Sequence, residues 1–260
     1  MKRTKIDWCD STWNPVTGCL HGCEYCYARR IAKRFDGHLR GRTKVALVNG
    51  CLVGMELQTE ELEERYKPSP YPYGFKPTLH KYRLEEPQKW RKPKNIFVCS
   101  MADLFGDWVP DEWIDQVIKA CIDAPQHRYL FLTKNPKRYA ALYQKGVFPA
   151  EGVNGLKEIW LGSTMTAPAN FFFGDRCART FVSIEPITRP FSYSGDPFGN
   201  VDWIIVGAET GNRKNKVIPK REWITEIAER CQETETPIFM KESLRTLMGS
   251  DFRQEFPWKD

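Results

Sequence analysis

The sequence contains no long apolar run. Its longest apolar stretches, such as Tyr129–Leu132 and Trp203–Val206, are a few residues long, whereas a membrane-spanning helix needs about 20 residues. The basic segment Met1–Lys5 is followed by Ile6–Asp10, which contains two acids and lacks the apolar character of a secretory signal. We therefore expect a cytoplasmic protein with no membrane partner.

A disulfide framework and a second CxxC pair are also missing. Nine cysteines in 260 residues are few and odd in number, so a reducing compartment would keep them as thiols. Five of them stand isolated along the chain: Cys51, Cys99, Cys121, Cys177 and Cys231. The remaining thiols point to metal binding rather than to cross-linking.

Acidic residues are scarce in the first 50 positions, where four Asp and Glu face ten Lys and Arg. This local excess of six equals the net charge of +6 of the whole chain. It indicates an anionic partner such as nucleic acid, although a solvated helix face over Glu24–Phe35 explains the charge equally well.

The composition and pattern indicate one folded α/β domain over residues 1–260. Hydrophobic residues make up 41% of the chain, enough apolar surface to offset the ordering entropy. Short β-branched and aromatic runs alternate with amphipathic segments, as in βα units around a parallel sheet. The predicted strands are Asn95–Ser100, Arg128–Thr133, Glu158–Ser163, Thr180–Ile184, Trp203–Gly207 and Pro237–Lys241.

Helices are expected over Glu24–Phe35, from Pro110 onward, over Pro136–Gln144 and over Glu222–Glu233. A first strand is expected within Ile6–Val16. Between residues 36 and 77 the pattern breaks into a stretch rich in Gly and Pro, which predicts an insertion or lid.

Three thiols lie close together at Cys19, Cys23 and Cys26, with the spacing C-x3-C-x2-C. A structural zinc site requires four ligands, and Cys9 or His21 could supply the fourth. Three thiolates could instead hold three irons of a 4Fe-4S cluster and leave the fourth iron open for a substrate or cofactor. Both alternatives remain at this point.

With Tyr25 directly before the last thiol, this motif resembles the signature of the radical SAM superfamily. The longer segment Ile6–Cys19 resembles an uncharacterised phage-associated family within or beside it. The resemblance implies a partial or full (βα) barrel of the TIM-barrel-like kind, a 4Fe-4S cluster on the three cysteines, and bound S-adenosylmethionine. It also implies reductive cleavage of S-adenosylmethionine to a 5′-deoxyadenosyl radical, with flavodoxin or ferredoxin as electron donor.

The order of later motifs resembles the spore photoproduct lyase group of that superfamily, because Ser100-Met101-Ala102-Asp103 precedes Leu132-Thr133-Lys134. The resemblance implies that Ser100 and Asp103 bind the amino group of S-adenosylmethionine and that Lys134 lies at the barrel mouth. Tyr25 is expected to pack around the cluster or the adenine, or to fill the core.

Polar residues follow the predicted strands, and active sites of βα barrels lie at those carboxyl ends. We expect Ser163 and Thr164 to contact the cofactor. The candidates for a catalytic or substrate-pocket role are Lys134, Glu185, Glu209, Lys241 and Glu242.

The predicted function is radical modification or repair of a substrate, with a nucleobase or nucleic acid favoured by the basic N-terminal part. One alternative is the same chemistry on a peptide or small metabolite. The other is a zinc-binding nucleic-acid module without catalysis.

Overall fold

The computed structural model describes residues 4–35, 45–48, 51–54, 70–149, 158–168, 172–174, 178–191 and 198–258. The strands in chain order are β1 (Ser11–Trp13), β2 (Val16–Thr17), β3 (Val45–Val48), β4 (Cys51–Gly54), β5 (Thr78–Leu79), β6 (Asn95–Val98), β7 (Arg128–Thr133), β8 (Glu158–Thr164), β9 (Arg179–Ile184), β10 (Trp203–Val206) and β11 (Ile238–Met240). The helices are α1 (Tyr27–Phe35), α2 (Asp111–Ile122), α3 (Lys137–Gln144), α4 (Arg221–Glu233) and α5 (Arg245–Met248).

A parallel sheet of seven strands has the order β1-β6-β7-β8-β9-β10-β11. Its register sets Ser11 opposite Ile96 and Trp203 opposite Phe181. Within the described residues, β1 and β11 end this order, which fits the partial form of the predicted barrel. The α/β class with parallel strands and helices between them is thus confirmed.

The predicted strands and helices match the observed ones to within a few residues. The match follows from burial, since β10 is buried along its whole length and therefore reads as a continuous apolar run. Helix α2 begins directly after Pro110 with two acids in its first turn, where the helix dipole favours negative charge.

Contacts divide the chain into two compact units. We call Cys9–Glu158 the cysteine unit, and Met1–Trp8 together with Ile159–Asp260 the C-terminal unit. The core of the cysteine unit contains the ring of Phe105, which packs on Phe131 and Tyr139 at centroid distances of 5.7 and 4.6 Å.

The core of the C-terminal unit is centred on Trp203. Its indole lies 5.8 Å from the ring of Phe181 and 6.2 Å from that of Trp8. The neighbouring Asp7 carboxylate accepts a hydrogen bond from the backbone N–H of Glu242 at 2.9 Å. The first residues of the chain therefore belong to the same unit as its last hundred.

Two small antiparallel pairs, β2 with β5 and β3 with β4, lie in the cysteine unit. The β3–β4 hairpin falls within the predicted insertion at 36–77, most of which lies outside the described residues. Among the described residues, no helix is long and apolar enough to cross a membrane.

Candidate functional site

The three-cysteine loop lies between β2 and α1, at the carboxyl end of the β1 region. Its entry is fixed by Gly18, which has φ +89° and whose N–H donates to the carbonyl of Met101 at 3.0 Å. A Cβ at this position would lie 2.2 Å from the Lys76 carbonyl oxygen. Only glycine tolerates both this φ and this close approach of two backbones.

The last of the three thiols accepts a backbone hydrogen bond. The Cys26 sulfur accepts from the Arg29 N–H at 3.3 Å. Cys26 also directly precedes α1, where the helix dipole favours negative charge. The end of the loop is thus polarised toward thiolate sulfur.

The carbonyl of Cys19 is held by a side chain from α1. The Arg29 guanidinium donates to it at 3.1 Å and lies 5.0 Å from the centre of the Phe75 ring. The Arg29 side chain therefore holds the start of the loop in place. The sequence had instead indicated a solvated helix face over Glu24–Phe35, which includes Arg29.

Without a cation, the loop opposes ionisation of its first thiol. Burial raises the pKa of Cys19 to about 12. The backbone N–H of His21 lowers this pKa, whereas the negative charges of Asp103, Cys23 and Cys26 raise it further. The described residues contain no group of three or more His, Cys, Asp and Glu placed to hold a metal ion.

Asp103 is buried beside this loop and is 5% exposed. Its Oδ1 accepts from the Phe105 N–H at 3.1 Å and the Thr133 hydroxyl at 2.7 Å. Its Oδ2 accepts from the Lys134 N–H at 2.9 Å and from His21 Nε2 at 2.7 Å. A carboxylate offers about four acceptor positions, so all of them are in use.

These donors decide the charge of Asp103. Burial opposes ionisation, but the hydrogen bonds from His21, the Lys134 amide and Thr133 outweigh it and hold the pKa of Asp103 below its usual range. His21 also packs edge-on against Trp108, with ring centroids 4.8 Å apart. His21, which the sequence offered as a possible fourth metal ligand, thus ties the cysteine loop to the ends of β6 and β7.

The other predicted residues of the cysteine unit lie around the same loop. Lys134 Nζ is 5.6 Å from the centre of the Tyr25 ring. The Ser100 hydroxyl donates to Asn14 Oδ1 at 3.1 Å, and its carbonyl accepts from the Tyr27 hydroxyl at 2.6 Å. The binding of an amino group by Ser100 and Asp103 stays a prediction.

In the C-terminal unit, the predicted residues again follow the parallel strands. Ser163 is fully buried and its hydroxyl accepts from the Phe173 N–H at 2.9 Å, while Thr164 is 9% exposed. Glu185 and Lys241, which follow β9 and β11, form an ion pair. The Lys241 side chain passes close to Gly207. A Cβ atom at position 207 would lie 2.8 Å from Lys241 Cδ.

The other two predicted carboxylates of this unit, Glu209 and Glu242, each pair with an arginine a few residues further along the chain. Glu209 is 8% exposed and receives two hydrogen bonds from Arg213, each 2.7 Å long. Glu242 is paired with Arg245 at the surface. The C-terminal unit thus presents charged pairs at the strand ends, whose catalytic role stays a prediction.

Sequence reasoning missed the side chains that organise the cysteine loop. Asn14 Oδ1 accepts from both the Ser100 hydroxyl and the Met101 N–H, and Thr133 and His21 bind Asp103. The one available signal was the run of polar residues next to the cysteines and strand ends, which does not reveal pairings between distant segments.

A family model described as "Protein of unknown function (DUF5131)" matches residues 3–246. Neither the curated proteins nor the solved structures compared with the chain gave a match.

This result corrects the expected membership of the radical SAM superfamily, together with its phage-associated and spore photoproduct lyase-like relatives, which was wrong. The model that covers almost the whole chain belongs to a different family, and the described residues contain no assembled metal-binding group. The physical reason is that cysteine spacing alone does not build a metal site. His21, a possible fourth ligand, binds Asp103 instead of a metal.

Proposed function

The chain belongs to the DUF5131 family of unknown function, and from that premise we propose that it is a redox enzyme whose Cys19, Cys23 and Cys26 hold an iron–sulfur cluster. The observation that carries this proposal is the N–H···S hydrogen bond from Arg29 to Cys26, at the end of a loop that contains three thiols. Hydrogen bonds to sulfur ligands are a means by which proteins tune iron–sulfur clusters.

The electrostatics of the loop also support a bound cation. The raised pKa of Cys19 comes from burial near other negative groups, and a metal ion reverses that penalty because coordinating thiols are deprotonated. The thiols are not preassembled into a metal site, so the proposal requires the loop to close around the cluster. Gly18 and the Cys19 carbonyl are held by hydrogen bonds. The residues between Cys19 and α1 would therefore make that movement.

We propose S-adenosylmethionine as the co-substrate, because three thiolates leave one iron of a 4Fe-4S cluster without a protein ligand. Such a cluster, when bound, would supply the electron for the reductive cleavage of S-adenosylmethionine. A small flavin or iron–sulfur protein would be the electron donor. Lys134, beside Tyr25 and the Asp103 network, is the proposed substrate-facing residue of the cysteine unit.

The test is anaerobic reconstitution with iron and sulfide, followed by iron analysis, electron paramagnetic resonance of the dithionite-reduced protein, and an assay for 5′-deoxyadenosine. We expect about four irons per chain, a reduced-cluster signal that changes on adding S-adenosylmethionine, and release of 5′-deoxyadenosine. Cys23→Ser should abolish the signal, whereas the matched control Cys9→Ser should keep it.

Two results would overturn the proposal. If the protein takes up one zinc and no iron, and needs Cys9 as well, the loop is a structural zinc site. If Cys23→Ser retains the full iron content, the three thiols are not the ligands.

A further inference from the structure

Helix α1 exposes a basic face that carries no acid. Its sequence, YARRIAKRF, has no Asp or Glu. Arg30, Lys33 and Arg34 are exposed, whereas Ala28 and Ala32 on the other side are buried. Residues at these spacings lie on one side of a helix, so the three cations share one face.

These three cations have no counter-charge within the described residues, where no ion pair or hydrogen bond involves them. Their neighbour Arg29 differs, because its guanidinium binds the Cys19 carbonyl and stacks on Phe75. Unpaired cations on adjacent turns repel one another, so the face is suited to an external anion.

An aromatic ring stands on the same side of the helix as the cations. Tyr27 lies three residues before Arg30 and seven before Arg34, and it is 44% exposed. The Tyr27 hydroxyl donates to the Ser100 carbonyl at 2.6 Å, which holds the ring in place. A solvent-facing aromatic ring offers a surface on which an unpaired base can stack.

We propose that this face of α1 binds single-stranded nucleic acid, with phosphates on Arg30, Lys33 and Arg34 and a base on Tyr27. A helix of nine residues is about 13 Å long, enough to follow several phosphates. Cations beside an exposed aromatic ring are the combination that binds single strands without reading their sequence. An acidic protein would use the cations and leave the ring without a role.

The proposal does not depend on the iron–sulfur cluster, so we test it on the full-length protein without metal. The probes are fluorescently labelled 16-nucleotide oligo-dT and oligo-U, and binding is followed by fluorescence anisotropy between 50 and 200 mM salt. The two probes distinguish DNA from RNA as the source of the strand.

We expect R30Q/K33Q/R34Q to weaken binding at least ten-fold at low salt. It should also reduce the slope of log Kd against log salt by about 2, because each phosphate contact contributes about 0.7 for single strands. The control K214Q/K216Q/K220Q removes three exposed lysines of the C-terminal unit and should change the affinity less than two-fold. Y27A should weaken binding roughly five-fold or more through lost stacking, with the salt slope unchanged.

Equal affinities of the α1 and control triple variants would overturn the proposal, provided that circular dichroism shows both to be folded. Labelled poly-glutamate that binds as tightly as the oligonucleotides would also overturn it, because the face would then recognise negative charge alone.

Discussion

Asp103 in the cysteine unit and Glu209 in the C-terminal unit are both buried carboxylates that follow a parallel strand, yet they are satisfied in different ways. Asp103 accepts four hydrogen bonds from His21, Thr133 and two backbone amides. Glu209 is paired with a single guanidinium four residues further along the chain. The first joins three distant segments, and the second closes one loop.

The difference shows how burial of a charge can serve two purposes. A carboxylate bound by a local Arg remains paired even if its loop moves as a unit. A carboxylate bound by donors from separate segments stays satisfied only while those segments keep their positions, so Asp103 links the cysteine loop to the ends of β6 and β7. Each prediction below removes or alters one side of this comparison.

The largest effect is expected for Asp103→Ala. This change leaves His21, Thr133 and two backbone amides without their acceptor, and removal of one side of a buried charged network typically costs about 3–5 kcal/mol. Urea unfolding followed by circular dichroism would measure the loss. Asp115, exposed on α2, is the control, and Asp115→Ala should change the free energy of unfolding by about 0.5 kcal/mol or less. Equal effects would refute the linking role of Asp103.

A smaller effect is expected for Glu209→Gln. The change removes the charge but keeps the shape, and Arg213, whose side chain is 27% exposed, can regain hydration. We expect a loss of about 1–2 kcal/mol in the free energy of unfolding, well below that of Asp103→Ala. If Glu209→Gln proves the more damaging of the two, the contrast between local and long-range pairing is wrong.

The smallest effect is a change in pH dependence. The pKa of Asp103 is lowered in the folded protein, so its stabilising contribution is present above the unfolded pKa and is lost as pH falls through the folded value. Below about pH 4, the difference in unfolding free energy between wild type and Asp103→Asn should therefore shrink. A difference that stays constant from pH 7 to pH 3 would contradict this assignment.

The strands could be predicted from the sequence because they are buried on both faces. Trp203–Val206 and Tyr129–Leu132 are continuous apolar runs. The predicted strand Arg128–Thr133 matches β7, and the predicted strand Trp203–Gly207 extends one residue beyond β10. The pair β2–β5 could not be predicted, since each strand has two residues and no periodicity. Its partners are also far apart in the chain.

The candidate site was predicted less completely. The cysteines and the polar residues at strand ends follow from spacing and from the geometry of parallel sheets. The pairing of His21 with Asp103 does not, because it depends on where the loop turns after Gly18, and the sequence contains no local signal for a contact between residues so distant. The family likewise could not be inferred from three cysteines, whose spacing says nothing about how close the sulfurs lie.

The packing of Trp8 on Phe181 and Trp203 sets an order of events during synthesis. Phe181 and Trp203 follow Trp8 in the sequence by 173 and 195 residues, so they are made roughly 10–40 s after it at typical elongation rates. Throughout that interval the indole of Trp8 cannot form these two ring contacts. The core of the C-terminal unit is therefore completed only after strands β9 and β10 have been made, long after Trp8.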